Sequence, residues 1–553
     1  MRVADYITEF LFKNGIKTSF MLSGTGSVFL DDAFANFKGM SYVSARHESA
    51  AVMMAVGYYK LSQKPGVALV TTGPGGANAV GGVVEAWVDS VPTIIISGQV
   101  DSKFLDQDLR YFGVQGLNIL PIIKPITKFS KTITDPYSIQ YYLDKALYFA
   151  LEGRPGPVWL DIPFDIQSSK INEPDQMRVF IPPQRAEDSS DLINDNVDLI
   201  LEKIYKSKKP LFILGQGVRQ GDAIDEFRQV IESLDAPFLT SRIAIDVFKT
   251  SFKNNLGLAG MKGLRYSQKI IDESDLVMSF GCSMNVAFTN ESEKLFPNAD
   301  VIMVNNDHNE FEKPGLNLNL KVLLDVKIVL EQMLKRVNKT KIKQFTSWLD
   351  YCLILKKDYP IVGDHLEGSP INSYYLVHKL AALSNKKQHF VSDAGSSYYV
   401  TGQALDYNFG QRDITSGSFA TMGVAIPMAI GASCYDKDSQ IIVVTGDGSL
   451  ELNIQELKTV SQNNLNIKIF VINNGGYASI RESQDEYSDG RYTETEDILD
   501  FSKVAEAFEI EYEIIDNYET IDQQIKQITA NSKPTLIEVV CERDQIIFGP
   551  EVI

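Results

Sequence analysis

The chain has 553 residues, 44% of them apolar and 22% charged, with a formal net charge of −18. That length exceeds what one hydrophobic core supports, and the acidic balance argues against nucleic acid or an anionic membrane as principal partner. Four scattered cysteines, Cys282, Cys352, Cys434 and Cys541, have no metal-ligand spacing, and no apolar run reaches membrane-spanning length. Residues 1–5 run into an amphipathic helical pattern rather than a leader, so a cytoplasmic protein is expected.

From residue 1 to about 165, helical patterns alternate with short β-branched runs. Residues 67–71 and 93–97 are continuous apolar runs, the pattern of parallel strands covered on both faces. The block closes at residues 157–163, and a polar stretch from Pro182 to Asn196 reads as a linker. A second α/β block, counted as 190–336, has strand-like runs at 209–215, 275–281 and 301–304. Lysine-rich residues 337–369 read as a mostly helical connector to a third α/β block, 366–545, whose pattern runs from about Ile371 to Val540. The expected fold class is α/β: three consecutive doubly wound domains with mostly parallel sheets.

The third block contains Gly446-Asp447-Gly448-Ser449 and, 27 positions beyond Asp447, the second residue of Asn473-Asn474. The interval reads as a helix followed by a buried strand, which returns Asn474 to the sheet edge where Asp447 lies. One carboxylate and one amide oxygen suit Mg²⁺, which takes its other ligands from phosphates and water. The glycines let the backbone approach phosphates, and a helix starting just after Gly448 would offer free N–H groups to a diphosphate. Each half alone is also what an ordinary turn or Asn-Gly loop looks like.

The pair together resembles the thiamine-diphosphate signature, and the first block carries a second set. Arg46-His47-Glu48 opens a helical run; a lone glutamate there would be an ordinary first-turn carboxylate. It is followed by Thr72-Gly73-Pro74-Gly75-Gly76-Ala77-Asn78, Asp89-Ser90-Val91-Pro92 and Ser97-Gly98-Gln99-Val100. This ordered set closely resembles the acetolactate-synthase branch of thiamine-diphosphate enzymes across nearly the whole first block. The resemblance implies three roles: Glu48 is the activating carboxylate, Pro74 and Asn78 contact the pyrimidine, and Gln115 reaches the reaction centre.

In the third block, Ser416-Gly417-Ser418-Phe419-Ala420-Thr421-Met422-Gly423 resembles the family's loop that bends the cofactor into a V. By that resemblance Met422 is the wedge beneath the two rings and the Ala420 carbonyl accepts from the pyrimidine amino group. Gly395, Ser396 and Ser397 align with a diphosphate-contacting loop, and Gly446, Gly448 and Ser449 complete the cofactor set. Asp447, Asn474 and the Gly476 carbonyl are the expected Mg²⁺ ligands, and Ile480 the apolar wall beside the thiazolium. The family builds each site from two subunits, which implies a homodimer or homotetramer with the site at the interface.

Three departures bear on substrate. Ser483 stands where acetolactate synthases carry a tryptophan that helps choose the acceptor, and Gly24-Thr25-Gly26-Ser27 replaces a Pro-Gly-Gly loop near the reaction centre. Residues 281–287 lack the arginine-rich loop that holds flavin, so no tightly bound FAD is expected. Gly24, Thr25, Gly26, Tyr477, Arg481 and Ser483 are the expected substrate residues. Arg481 and Arg110 are candidates for an acceptor carboxylate or phosphate, with surface salt bridging an equal alternative.

The segment 109–117 lacks the histidine pair that relays protons in pyruvate-type decarboxylases, which favours ligation. Of the five histidines, His308, His365, His378 and His389 read as surface or core residues. The expected activity is thiamine-diphosphate- and Mg²⁺-dependent decarboxylation of a 2-oxoacid, pyruvate first, with ligation of the acyl unit to a second carbonyl compound. The alternatives are a decarboxylase releasing aldehyde, acetyl transfer to a keto sugar in polysaccharide biosynthesis, a flavin-dependent oxidase, and a catalytically silent scaffold.

Overall fold

The alternation of apolar runs with helices produces three six-stranded sheets in sequence, parallel throughout. In the first, β1 (Thr18–Met21), β2 (Ser41–Ser44), β3 (Gly66–Val70), β4 (Thr93–Gln99), β5 (Phe129–Thr132) and β6 (Val158–Pro163) lie in the order β2-β1-β3-β4-β6-β5. In the second, β7 (Pro210–Leu214), β8 (Phe238–Thr240), β9 (Asn255–Leu258), β10 (Leu276–Phe280), β11 (Asp300–Asn305) and β12 (Leu320–Leu323) take the order β12-β11-β10-β7-β8-β9. In the third, β13 (Gln388–Ser392), β14 (Asp413–Ile414), β15 (Gln440–Gly446), β16 (Ile467–Asn473), β17 (Glu511–Ile515) and β18 (Thr535–Val540) take the order β14-β13-β15-β16-β18-β17. The outer domains thus share one topology, and the middle one has the dinucleotide-fold order. This computed structural model describes residues 1–105, 109–110, 112–183, 189–289, 296–337, 343–363, 366–493, 496 and 499–550.

The first and third domains share a core. The helix Glu48–Ser62 crosses the helix Ala425–Tyr435, and Ala50 to Val56 pack in one cluster with Val424 to Ile430. Glycines set the approach: a Cβ on Gly57 would sit 2.2 Å from the Met428 carbonyl oxygen, and one on Gly431 1.9 Å from that of Met54. The middle domain has its own core, rich in Phe212, Phe227, Phe238 and Phe280. It is tied to the third domain by buried Asp246, which accepts from Arg219 at 2.8 Å, Arg412 at 2.7 Å and the Asp413 amide at 3.0 Å.

Two inter-domain readings change. The helix Ser190–Lys206, capped by the Ser189 hydroxyl accepting from Leu192 N–H at 3.1 Å, occupies the second half of the expected linker. The helix Thr346–Asp358 is more than a connector. Trp348, Cys352 and Leu355 lie on one face and complete the middle core, and the Trp348 indole donates to the Pro210 carbonyl at 3.1 Å.

Candidate active site

Parallel sheets gather their following loops at one edge, where such folds bind ligands. β15 leads into Gly446 and Asp447, and β16, paired with it through Gly446 and Ile472, leads into Asn474. Asp447 is 2% exposed and accepts from the amides of Gly448 at 2.8 Å, Asn474 at 3.1 Å and Gly476 at 2.8 Å. The loop after β16 therefore wraps onto the carboxylate, and Gly475 and Gly476 permit this through positive φ values of 74° and 104°. Burial pushes the Asp447 carboxyl above its ordinary range, against the lowering effect of those N–H donors. The helix begins at Asp447 itself, two residues earlier than expected, and Gly448 lies against the Tyr477 ring, 2.3 Å from where a Cβ would fall.

Arg481 does not face substrate. It is fully buried and donates to the carbonyls of Gly475 at 3.0 Å, Asn474 at 3.0 Å and Arg543 at 2.7 Å, and to Asp544 at 3.1 Å. The helix Ala478–Tyr487 turns it inward, behind the Asp447 loop, so it braces that loop and pairs at its outer end with exposed Asp544. Ile480 and Ser483 lie on the exposed side of the same helix, and Arg110 is exposed.

The diphosphate-type loop follows β13. Gly395, at φ 65°, caps the helix Ser396–Ala404 and approaches Ser479. Ser396 is half-buried, whereas Ser397 is buried with its hydroxyl donated to the Ala394 carbonyl at 2.8 Å, which makes it a brace for the turn. Ser449 is also buried, one turn past Gly446. Asp393, which the sequence reading passed over, fixes the end of the bending loop by accepting from Gly423 at 2.7 Å and Ala425 at 3.0 Å. The acid preceding Ala394-Gly395 at a strand end was the available signal. Ala420 is held at φ 48°, and Met422 is 37% exposed.

The first domain builds an edge of the same topology. Glu48 starts the helix after β2, capped by His47 Nδ1 accepting from Ser49 N–H at 3.2 Å. Glu48 is 6% exposed and accepts from the Asn78 side-chain amide at 3.0 Å. Pro74 starts the helix Pro74–Val88 after β3, and the preceding Gly73 packs on Gln115, 2.0 Å from a would-be Cβ to the Gln115 carbonyl oxygen. Gly24, Thr25 and Gly26 pack on Thr71 and Thr72, next to Pro74, and Asp31 accepts from Gly24 N–H at 3.2 Å and the Ser27 hydroxyl at 3.1 Å. Glu48, Pro74, Asn78, Gln115 and the 24–26 loop thus share one edge. Among the described residues no hydrogen bond joins Glu48 or Asn78 to Asp447 or Asn474 within the chain.

His308 is exposed, His378 half-buried, and His389 buried, accepting from Arg412 N–H at 3.2 Å; His365 lies outside the described residues. A cavity of about 940 Å³ opens where the three domains meet, walled by Gln216, Ser241, Cys282, Asp307, Tyr398 and Ala420. Its arginines are engaged: Arg154 with Glu310 at 2.6 Å, and Arg242 with Asp413.

The donor set fits the groups that the sequence implied. Asp447 is a buried carboxylate whose hydrogen bonds, among the described residues, come from backbone N–H. The amides of Asn474 and Gly476 bring two further oxygen-bearing residues onto it, the Gly476 carbonyl accepting from Ala478 N–H at 2.9 Å. Among the described residues no cluster of three His, Cys, Asp or Glu side chains competes for a metal. That is the pattern of a cation completed by phosphate oxygens.

Comparison with known proteins agrees. Three family descriptions match the chain: the thiamine pyrophosphate enzyme N-terminal TPP binding domain over residues 1–120, the central domain over 197–333, and the C-terminal TPP binding domain over 393–539. The chain belongs to the thiamine-pyrophosphate-dependent enzymes. Within them it is similar to acetolactate synthase large subunits along almost its whole length. It is 29% identical to that of Lactococcus lactis over 549 residues, covering 99% of this chain and 93% of the relative. It is 30% identical to that of Haemophilus influenzae over 510 residues, covering 91% and 88%. To the isozyme 1 large subunit of Escherichia coli it is 28% identical over 550 residues, covering 99% and 95%.

Proposed function

We propose that this protein is a thiamine-diphosphate- and Mg²⁺-dependent carboligase. It decarboxylates a 2-oxoacid, with pyruvate as donor, and joins the acyl unit to a second carbonyl compound. The observation that carries the reading is the wrapping of the Asn474–Gly476 loop onto buried Asp447, at an edge topologically matched by the Glu48–Asn78 edge. Thiamine diphosphate, when bound, supplies the electron sink for loss of CO₂ and for carbon–carbon bond formation. Asp447, Asn474 and the Gly476 carbonyl would hold the metal, and Arg481 fixes two of the loop carbonyls behind it. Glu48 would share a proton with a pyrimidine ring nitrogen, and Asn78 fixes the orientation of its carboxylate. The Ala420 carbonyl would accept from the pyrimidine amino group, and Met422 would pack against the cofactor. Gln115 and the 24–26 loop line the substrate side. Ser483 leaves space beside Ile480 that a bulkier acceptor, a keto sugar included, can occupy.

The two edges serve one active centre from two subunits, so at least a homodimer is required. Exposed Phe112 (58%), Val114 (89%), Met422 (37%) and Ile480 (48%) support this, being apolar side chains at both half-sites left open in the single chain. No helix among the described residues is long and apolar enough to cross a membrane, and the four cysteines are free; the proposed location is the cytoplasm.

The test is incubation of purified protein with thiamine diphosphate, Mg²⁺ and pyruvate, with products followed by NMR. Acetolactate or acetoin is expected. Acetaldehyde alone would make the protein a decarboxylase, and absence of CO₂ release with pyruvate, other 2-oxoacids and keto-sugar acceptors would overturn the proposal.

A further inference from the structure

The helix Pro74–Val88 and the residue after it carry two acids that no role above uses. Glu85 has no exposed surface, and Asp89 is 5% exposed. One oxygen of Glu85 accepts from the Ser416 hydroxyl at 3.0 Å and from the Thr421 hydroxyl at 2.6 Å. The other is buried without a hydrogen-bond partner among the described residues. Asp89 accepts from the Gly417 amide at 2.9 Å and from the Lys60 ammonium, which also donates to the Thr415 carbonyl. Gly417 is pressed so close that a Cβ would lie 2.3 Å from Asp89.

Residues 415–423 are therefore gripped from two directions. From the first domain Lys60 holds Thr415, Asp89 holds Gly417 and Glu85 holds Ser416 and Thr421, while Asp393 holds Gly423 from within the third. Between the grips sits Ala420 at φ 48°, a conformation that a residue with a side chain keeps only where its surroundings impose it. A buried carboxyl with one unsatisfied oxygen is costly, and it is kept where its other oxygen holds two hydroxyls of the loop.

We propose that Glu85 is a positioning residue. Through Ser416 and Thr421 it fixes the strained Ala420, and with it the carbonyl and the Met422 side chain that the reading above gives to the cofactor. The inference rests on that reading for its link to thiamine diphosphate, but the tether itself is a property of the chain. The charged groups facing Glu85 are Asp89 at the end of its own helix and Lys60 from the helix Glu48–Ser62; the 416–421 loop brings hydroxyls. Burial pushes the Glu85 carboxyl up to about 7, the Asp89 charge adding to this and Lys60 opposing it. The ionised form is the stronger acceptor for the two hydroxyls, so the loop loosens as pH falls through that value.

Hydrogen exchange on the cofactor-free protein tests the tether. In Glu85→Ala the amides of residues 416–422 should exchange at least about tenfold faster, while those of β15 and β16 stay as in the native chain. Glu85→Gln keeps an acceptor oxygen but no charge, so it should restore protection only to the level of the native protein below about pH 7. Thiamine diphosphate titration in Mg²⁺ tests the link: Glu85→Ala should bind about tenfold more weakly, and kcat should fall more than donor KM rises. Glu85→Gln should lose the step near neutrality in the native kcat profile. If Glu85→Ala does not fold, Ser416→Ala with Thr421→Val removes the same two donors from the other side. Native-like exchange in 416–422 overturns the tether. Faster exchange with unchanged cofactor affinity overturns the positioning role. A native protein that binds no thiamine diphosphate overturns the functional reading and the positioning role with it, leaving only the tether.

Discussion

The side-chain amide of Asn78 donates to Glu48 at 3.0 Å, linking the helices that follow β2 and β3. Glu48→Gln preserves shape and an acceptor for Asn78 but removes the ionisable oxygen. Turnover should fall by about 100-fold or more, the range for loss of a positioned acid–base group. Thiamine diphosphate affinity should change by less than about threefold, since the diphosphate and metal contacts lie elsewhere. Initial rates with a fluorescence titration of the cofactor check this, and near-native turnover would remove Glu48 from the chemistry.

Asp447 faces three amides, so neither Ala nor Asn replaces it: the asparagine amide group would meet an N–H donor on one side or the other. Both variants should weaken Mg²⁺-dependent cofactor binding at least about tenfold. Chelation with EDTA should reproduce that loss in the native protein and add little in the variants. Equal cofactor affinity with and without Mg²⁺ in the native protein would refute the metal assignment.

Arg481→Met leaves the buried Asn474 carbonyl and the part-buried carbonyls of Gly475 and Arg543 without this donor. Each unsatisfied group costs about 1–3 kcal/mol, so the melting temperature should drop measurably and the apparent Mg²⁺ affinity with it. Arg481→Lys should not rescue, because one ammonium cannot span the positions reached by a planar guanidinium fork. Unchanged stability with a higher acceptor KM would instead restore Arg481 to the substrate pocket.

Asp246 is a pH-dependent link between the middle and third domains. Burial alone would raise its carboxyl, but Arg219 and Arg412 outweigh it and hold it at about 2, below the ordinary 3.8. A folded-state value below the unfolded one means that the contribution, about 2 kcal/mol, is complete above the ordinary value and is lost as pH falls through about 2. Asp246→Asn should therefore be less stable than the native protein at pH 7, and the gap should narrow below about pH 4. Urea unfolding at a series of pH values measures it; a gap independent of pH would contradict the charge-based account.

What the sequence disclosed and what it hid follow one physical line. Asp447 and Asn474 were legible because one helical stretch and one strand separate them, so parallel pairing alone returns them to one edge. The placement of Glu48 and Pro74 at one edge was legible because each opens a helix after a strand. Arg481 was misread because its burial depends on Arg543 and Asp544, 62 and 63 positions away, which close over a helix that otherwise looks solvated. Glu85 was missed for the same reason, its partners lying 331 and 336 positions further on. The 346–358 helix looked like a connector because its lysines are plain to see, while Trp348, Cys352 and Leu355 reveal themselves only against the middle core.

The crossing of Gly57 with Met428 also bears on synthesis. The first domain leaves the ribosome well before residues 424–435 exist, yet the apolar face of its helix Glu48–Ser62 is finished only by them. Nascent chains must keep that face shielded through hundreds of residues of elongation, and a product truncated before residue 424 would display it permanently. Such truncations should be clients of chaperones and prone to aggregate, although their own six-stranded sheet is complete.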